Sequence, residues 1–375
     1  MAVIATAMAS QPFLACAETL ESGQTIDITL RPAQGANHRI NFDNGTPQDQ
    51  MGRPKEFKGS LPTHPPTAYR RETPAGMFYY DANHDGKMNA VQSHFDGHVS
   101  ARGLRVSSAV DGIVVPYVVD LFTYPHANSG WLDVQTCWES SFDIGGKTWL
   151  IRIVDPLNGV IDERAELTLT EKQPGVAKSV HRLAANVPKR LVVGDRCFDI
   201  GFAFQSTGQG TVLKALLKEV PVPMCQVVLQ GRFIHTLALR SGKLLAVFEK
   251  PGPTILLPAG EYIVERVALD TLPSFHGFSL DLNDEFRSSG LSATGKGMEK
   301  IFVREDGPTV LKIGGPLRNV VTIGQQAGSA FAAHYHLLGA GGEEYLFGTG
   351  ADNGRPWLNT YMAGVRIAST QLPFG

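Results

Sequence analysis

Asp81, Asn83 and Asp85 alternate along the stretch MFYYDANHDGKMNAVQ (77–92), and Gly86 follows at once. Oxygen-bearing side chains on every second residue, closed by a glycine, suit a hard divalent cation, which takes six to eight oxygen ligands. With Asp81 at position 1 of a twelve-position calcium loop, Asn83 falls at 3 and Asp85 at 5. Gly86 supplies the sharp turn at 6, Lys87 its carbonyl at 7, and Asn89 an amide oxygen at 9. Met88, between them, is the apolar residue expected to pin the loop to a core. Position 12 holds Gln92, one neutral oxygen where a bidentate carboxylate is usual. Asp96, four residues on, is an alternative twelfth ligand. The expected site is therefore a weak calcium site built from Asp81, Asn83, Asp85, Lys87, Asn89 and Gln92. The competing reading is a polar turn, because Asp, Asn and Gly dominate turns in any case.

Other constellations carry less. His334 and His336 share one face of a strand, and Glu343-Glu344 follow across a Gly-rich turn, so a cupin-like transition-metal site is conceivable. His94, Asp96 and His98 form a similar small cluster beside the calcium loop. In each case a solvated pair or a turn is the simpler reading. No G-x-S-x-G elbow and no G-x-x-x-x-G-K-[ST] phosphate loop occurs. Asp281, Asp284 and Glu285 lie in one segment, whereas glycosidase carboxylates flank the bond to be cut from two sides. Trp131, Trp138, Trp149 and Trp357 offer surfaces for a sugar, or simply strand residues packed in a core. DPLNGVID (155–162) reads as an Asn-Gly hairpin turn, or alternatively as a degenerate ion loop.

The elements that must hold these residues are strands. QTIDITL (24–30) alternates apolar and polar residues, and KTWLIRIV (147–154) puts Trp149, Ile151 and Ile153 on one face. Residues 165–170 are placed to pair back across the 155–162 turn. DGIVVPYVVDLFTY (111–124) is β-branched with an internal Pro116, which calls for an edge strand or a bulge. Gly194-Asp195 separates two short apolar runs as a hairpin would. Residues 31–74 lack periodicity and are rich in Pro, Gly, Asn and Gln, so a long irregular excursion is expected there. From 224 onward short runs at 225–229, 233–239, 243–248, 254–257 and 261–269 alternate with Gly and Pro corners, the spacing of a β-sandwich. Further runs at 309–313, 319–323, 330–338, 344–347 and 361–368 continue in the same manner.

Composition bounds the class. In 375 residues, 40 Gly and 23 Pro favour many turns and short strands. A net charge of -2 argues against bulk nucleic-acid binding. Four cysteines without a C-x-x-C pair leave two options: one disulfide, Cys197–Cys225 or Cys137–Cys197, or buried reduced thiols. The segment MAVIATAMASQPFLACA (1–17) is small and apolar and ends in Ala15-Cys16-Ala17, the form of a signal-peptidase site, though no Lys or Arg precedes Arg31. It is read as a signal peptide, so the mature chain is expected in the periplasm or outside the cell. No run reaches the roughly 18 apolar residues of a spanning helix, so no transmembrane segment is expected. The domain plan is 18–220 as an N-terminal β domain with the calcium-type loop, 221–270 as a small sandwich-like module after Pro221-Val222-Pro223, and 271–375 as a C-terminal β module.

Two resemblances add to this. The 81–89 loop resembles the front half of EF-hand and dockerin-like loops, borne here on the strand Phe78-Tyr79-Tyr80 rather than on an entering helix. LPAGEYIV (257–264) resembles the closing hairpin of PEGA-type and carboxypeptidase-regulatory-like β modules. Together they resemble uncharacterised secreted bacterial β-sandwich proteins of the cell envelope, a group with no activity to carry over. The expectation is an all-β chain of two or three β-sandwich-like modules with long irregular loops and little helix. Its function would be that of an exported non-enzymatic binding or structural protein with a weak structural calcium site. Its partner would be a carbohydrate or another envelope protein. The alternative is a carbohydrate-active or cupin-like metal-dependent enzyme on a β scaffold.

Overall fold

A computed structural model describes residues 23–43, 56–72, 77–92, 94–95, 99–123, 129–172, 184–269, 291–293, 298, 300–325, 331–347, 357–362 and 365–371. Every regular element among them is a strand, as the turn-rich composition leads one to expect. The first group is β1 (Thr25–Asp43), β2 (Glu56–Leu61), β3 (Thr67–Glu72), β4 (Met77–Tyr80), β5 (Asn89–Gln92), β6 (His94–Phe95), β7 (Val99–Val110), β8 (Ile113–Thr123), β9 (Ser129–Ile144), β10 (Lys147–Val154), β11 (Glu166–Glu171) and β12 (Ala184–Asn186). Next come β13 (Arg190–Val193), β14 (Arg196–Thr207), β15 (Gly210–Glu219), β16 (Met224–Gln230), β17 (Ile234–Ser241), β18 (Leu244–Glu249), β19 (Thr254–Pro258) and β20 (Gly260–Leu269). The last are β21 (Leu291–Ala293), β22 (Ile301–Val303), β23 (Thr309–Lys312), β24 (Arg318–Gln325), β25 (Phe331–Leu338), β26 (Leu346–Phe347), β27 (Trp357–Met362) and β28 (Val365–Gln371).

Two large sheets share β1. Its first half pairs with β15, and the sheet continues through β14, β13, β18, β17 and β20. Its second half pairs with β9, which carries β10 and β11 at one end and β8 and β7 at the other. The stretch expected to be irregular from residue 31 is thus strand as far as Asp43, with β2 and β3 beyond it. A register shift between Gln34 and His38 breaks the alternation, and outward polar pairs such as Arg39–Asp133 (2.9 Å) replace an apolar stripe, so periodicity fails there. Pro116 sits on β8 opposite Ser107 of β7, in the part of β8 where β9 does not pair, as its missing N–H requires.

The sheet containing β13, β17 and β18 is buried on both faces. Leu191, Val193, Ala238, Leu245 and Val247 face one core, together with residues of β1, β7–β11 and β15. Val192, Leu237, Leu239, Ala246 and Phe248 face a second core, closed by the β19–β16–β23 sheet, β20 and β22. Burial on both faces explains why LVV (191–193) and LLAVF (244–248) are continuous apolar runs rather than alternating ones. It also bears on the plan of separate units at 18–220 and 221–270. Across Pro221-Val222-Pro223 the strands rejoin the same sheet, β13 pairing in parallel with β18 from Arg190↔Leu244 to Val193↔Val247. Cys137, Cys197 and Cys225 are buried thiols outside any disulfide, so neither expected disulfide is formed, and burial pushes the Cys197 thiol up to about 11.

Candidate functional site

The calcium-type loop joins β4 to β5 at the tip of an antiparallel hairpin, Tyr80 pairing with Asn89 and Met77 with Gln92. Phe78 and Tyr80 are buried in the first core, and Phe78 stacks on Tyr69 at 5.3 Å, so the base of the hairpin is fixed. The Asp81 carboxylate accepts the amides of Asp85 (3.1 Å) and Gly86 (3.0 Å), and Asp85 accepts the amide of Lys87 (2.8 Å). The amide of Asn83 donates to Asp85 Oδ2 at 3.2 Å. Gly86 has φ of 81° and His84 of 60°, which is the tight turn the spacing anticipates. Asn83, Asp85, Lys87 and Asn89 are exposed and Asp81 is half-buried, so this end of the loop opens to solvent.

Two expectations about this loop need correcting. Met88 is 43% exposed and does not pin the loop. That role falls to the Asp81 amide on the Ala68 carbonyl (3.0 Å) and to the contact of His84 Nε2 with the Ser107 carbonyl (3.1 Å). Gln92 lies at the far end of β5, three extended residues or about 10 Å beyond Asn89. It is not brought to the loop tip with Asp81, Asn83, Asp85, Lys87 and Asn89. The reason is that the exiting element is a strand, which carries position 12 away, where a helix would curl it back. Asp96 and His98 lie outside the described residues, as do the side chains of Gln92 and His94. Among the described residues no three His, Cys, Asp or Glu side chains gather as a metal cluster.

The other sequence candidates are placed as follows. His336 Nδ1 meets Glu344 Oε1 at 2.7 Å, while the side chain of His334 lies outside the described residues. Glu343 is fully buried, its carboxylate accepting Gly314 N (2.5 Å), Gly341 N (2.9 Å) and the Tyr345 hydroxyl (2.8 Å). Such saturation makes it an internal brace. Trp138 and Trp149 are core residues, Trp131 lies between the Arg39 guanidinium (4.8 Å) and Phe122 (5.1 Å), and the side chain of Trp357 lies outside the described residues.

The 155–162 segment is a turn with a buried polar centre. Asp155, 1% exposed, accepts the Tyr117 hydroxyl (2.6 Å) and the Leu157 amide (2.6 Å). Tyr117 in turn accepts the Gly159 amide (3.1 Å), and Ser108 donates to the Leu157 carbonyl (2.5 Å). Burial raises the Asp155 carboxyl to about 6 against the opposing pull of those hydrogen bonds. Burial also holds the Tyr117 phenol well above its usual range. Gly159 has φ of 73°, and a Cβ there would lie 2.9 Å from Val110 Cγ2, so glycine at 159 serves both turn and fit.

A second cleft was not singled out from sequence. It holds about 280 Å³ between the β10–β11 hairpin and the β18–β19 turn, and Lys147, Trp149, Glu171, Asp195, Glu249 and Lys250 line it. Lys147 bonds Glu171 at 2.8 Å. Burial, and secondarily the negative charge of Glu171, raise the Glu249 carboxyl to about 7, with Lys250 pulling the other way. The signal was present in strand parity. Lys147 precedes Trp149 and Ile151, Glu171 follows Leu167 and Leu169, and Glu249 follows Leu245 and Val247, each at spacing two. Three inward-facing stripes therefore end in charge at one end of the first core.

Comparison with protein-family models, with curated proteins and with solved structures finds no match to this chain.

Proposed function

We propose that this is an exported, non-enzymatic β protein that binds or scaffolds, stabilised by a weak structural calcium site at the tip of the β4–β5 hairpin. The observation that carries the calcium part is the loop itself. Asp81, Asn83, Asp85, the Lys87 carbonyl and Asn89 crowd one solvent-open turn, already folded around the Asp81 carboxylate. Two carboxylates, amide oxygens and water make a neutral-to-weak coordination set, suited to the millimolar calcium outside cells. Calorimetric titration tests this. Calcium is expected to bind once, with Kd of about 10⁻⁴–10⁻³ M, and binding is lost in Asp85→Ala. Absence of heat at several millimolar calcium would remove the site from the reading.

A second reading is favoured by one observation. The carboxylates of Glu171 and Glu249 come from β11 and β18, distant in sequence, yet line one cleft. Two carboxylates in unlike environments are what a carbohydrate-active hydrolase uses. Against it, Glu171 is held by Lys147. The cupin-like version has less support, because His336 is engaged by Glu344.

A further inference from the structure

Three charged residues at one end of the first core need no ligand to explain them. One lining residue does. Glu249 Oε1 is buried with no hydrogen-bond partner, and behind it, outside the cleft lining, the hydroxyl of Thr236 (0% exposure) is likewise unpartnered. Thr236 and Glu249 are directly opposed in the β17–β18 ladder, so their side chains stand together on one face of the sheet. Two adjacent buried oxygens without partners carry a desolvation cost of about 1–3 kcal/mol each unless a donor reaches them. The nearby charges say which donor. Glu171 of β11 and Asp195 of the β13–β14 turn are negative, Lys147 of β10 is committed to Glu171, and Lys250 follows Glu249 directly in the chain. An anion placed here would meet three carboxylates. These carboxylates do not gather closely enough to hold one metal ion, and among the described residues no three His, Cys, Asp or Glu side chains do.

We propose that the cleft between β10–β11 and β18–β19 binds a primary ammonium group, from a small free amine or from a lysine side chain of a partner, with Glu249 and Glu171 as its carboxylates. An ammonium carries three N–H donors on one compact charge, which two carboxylates can share. A volume of about 280 Å³ admits the head of such a ligand with a few carbons behind it. The position is one that Lys147 partly imitates, since its own ammonium already contacts Glu171. Binding requires ionised Glu249, and that carboxyl stands near 7, so affinity follows its titration. Raising the pH from 6 to 8 takes it from about one-tenth to about nine-tenths ionised, an expected gain in affinity of about ninefold.

The test uses the full chain with two probes, ethanolamine and the tripeptide Gly-Lys-Gly, against the uncharged controls ethylene glycol and Gly-Gln-Gly, followed by calorimetry or ligand-observed NMR. Both ammonium probes are expected to bind and neither control. Tighter binding of ethanolamine points to a free amine, and tighter binding of the peptide to a partner's lysine. Glu249→Gln weakens binding at least about tenfold and abolishes its pH dependence. Lys147→Met, which removes the competing ammonium from Glu171, strengthens it. A circular dichroism spectrum like the parent's establishes that each variant is folded, and the pH profile of the unaltered chain stands independently of any variant. The proposal is overturned if neither ammonium probe binds, if the controls bind equally, or if affinity is the same at pH 6 and 8.

Discussion

Asp155 shows at the scale of one residue how burial sets behaviour. The carboxyl is raised from 3.8 to about 6, with desolvation the largest cause and the bonds from Tyr117 and Leu157 opposing it. The folded chain therefore holds this proton more tightly than the unfolded chain does. By linkage, its contribution to stability is greatest below about pH 4 and is lost as pH rises through about 6, after which it is flat. Two pKa units at about 1.4 kcal/mol each put the loss near 3 kcal/mol as an order of magnitude. Glu249 titrates over an overlapping window, so the difference between two proteins is the useful quantity. Denaturant melts of the parent and of Asp155→Asn are expected to differ by a pH-dependent gap across pH 4–6 and by a constant gap above pH 7. A gap independent of pH throughout would show that Asp155 is ionised in the fold with an ordinary affinity for its proton.

At the scale of elements, what was legible in the sequence depended on how each strand is covered. KTWLIRIV (147–154) was readable because one face meets the core and the other meets solvent, and β10 runs over those same residues. The five runs between 225 and 269 likewise became β16–β20. The second half of β1 was illegible because a bulge interrupts its alternation and ion pairs replace apolar contacts. The loop after β4 was legible as a turn in Asp81, Asn83, Asp85 and Gly86. The fate of its twelfth position was not, because that depends on the exit element. A strand moves residue 92 to the far end of the hairpin. The Glu171–Glu249 cleft escaped for a different reason. Its residues are spread over β10, β11 and β18; β10 pairs with β11, while β18 belongs to the other side of the first core and meets them only through packing around it.

At the scale of the whole molecule, β13, β17 and β18 lend alternate residues to two cores, so neither core is complete without the same three strands. Each of their buried Leu or Val side chains contributes roughly 1.5–3 kcal/mol. The two cores are therefore expected to unfold together. Trp138 and Trp149 report on the first core by fluorescence, and the buried Cys225 thiol reports on the second by its reactivity. In urea the two signals should share one midpoint, and separated midpoints would mean that the cores are independent units. The calcium claim is read at this scale as well, because a ligand bound only by the folded chain stabilises all of it. At a concentration ten times Kd the gain is about 1.4 kcal/mol. For a chain of this length that is a rise in melting temperature of about 1–3 °C. The decisive measurement is the melting temperature in millimolar calcium against the same protein in chelator, for the parent chain and for the double variant Asp81→Ala, Asp85→Ala. The account predicts a rise of that size in the parent and none in the variant. An unchanged melting temperature in the parent, or an equal rise in both, would contradict it.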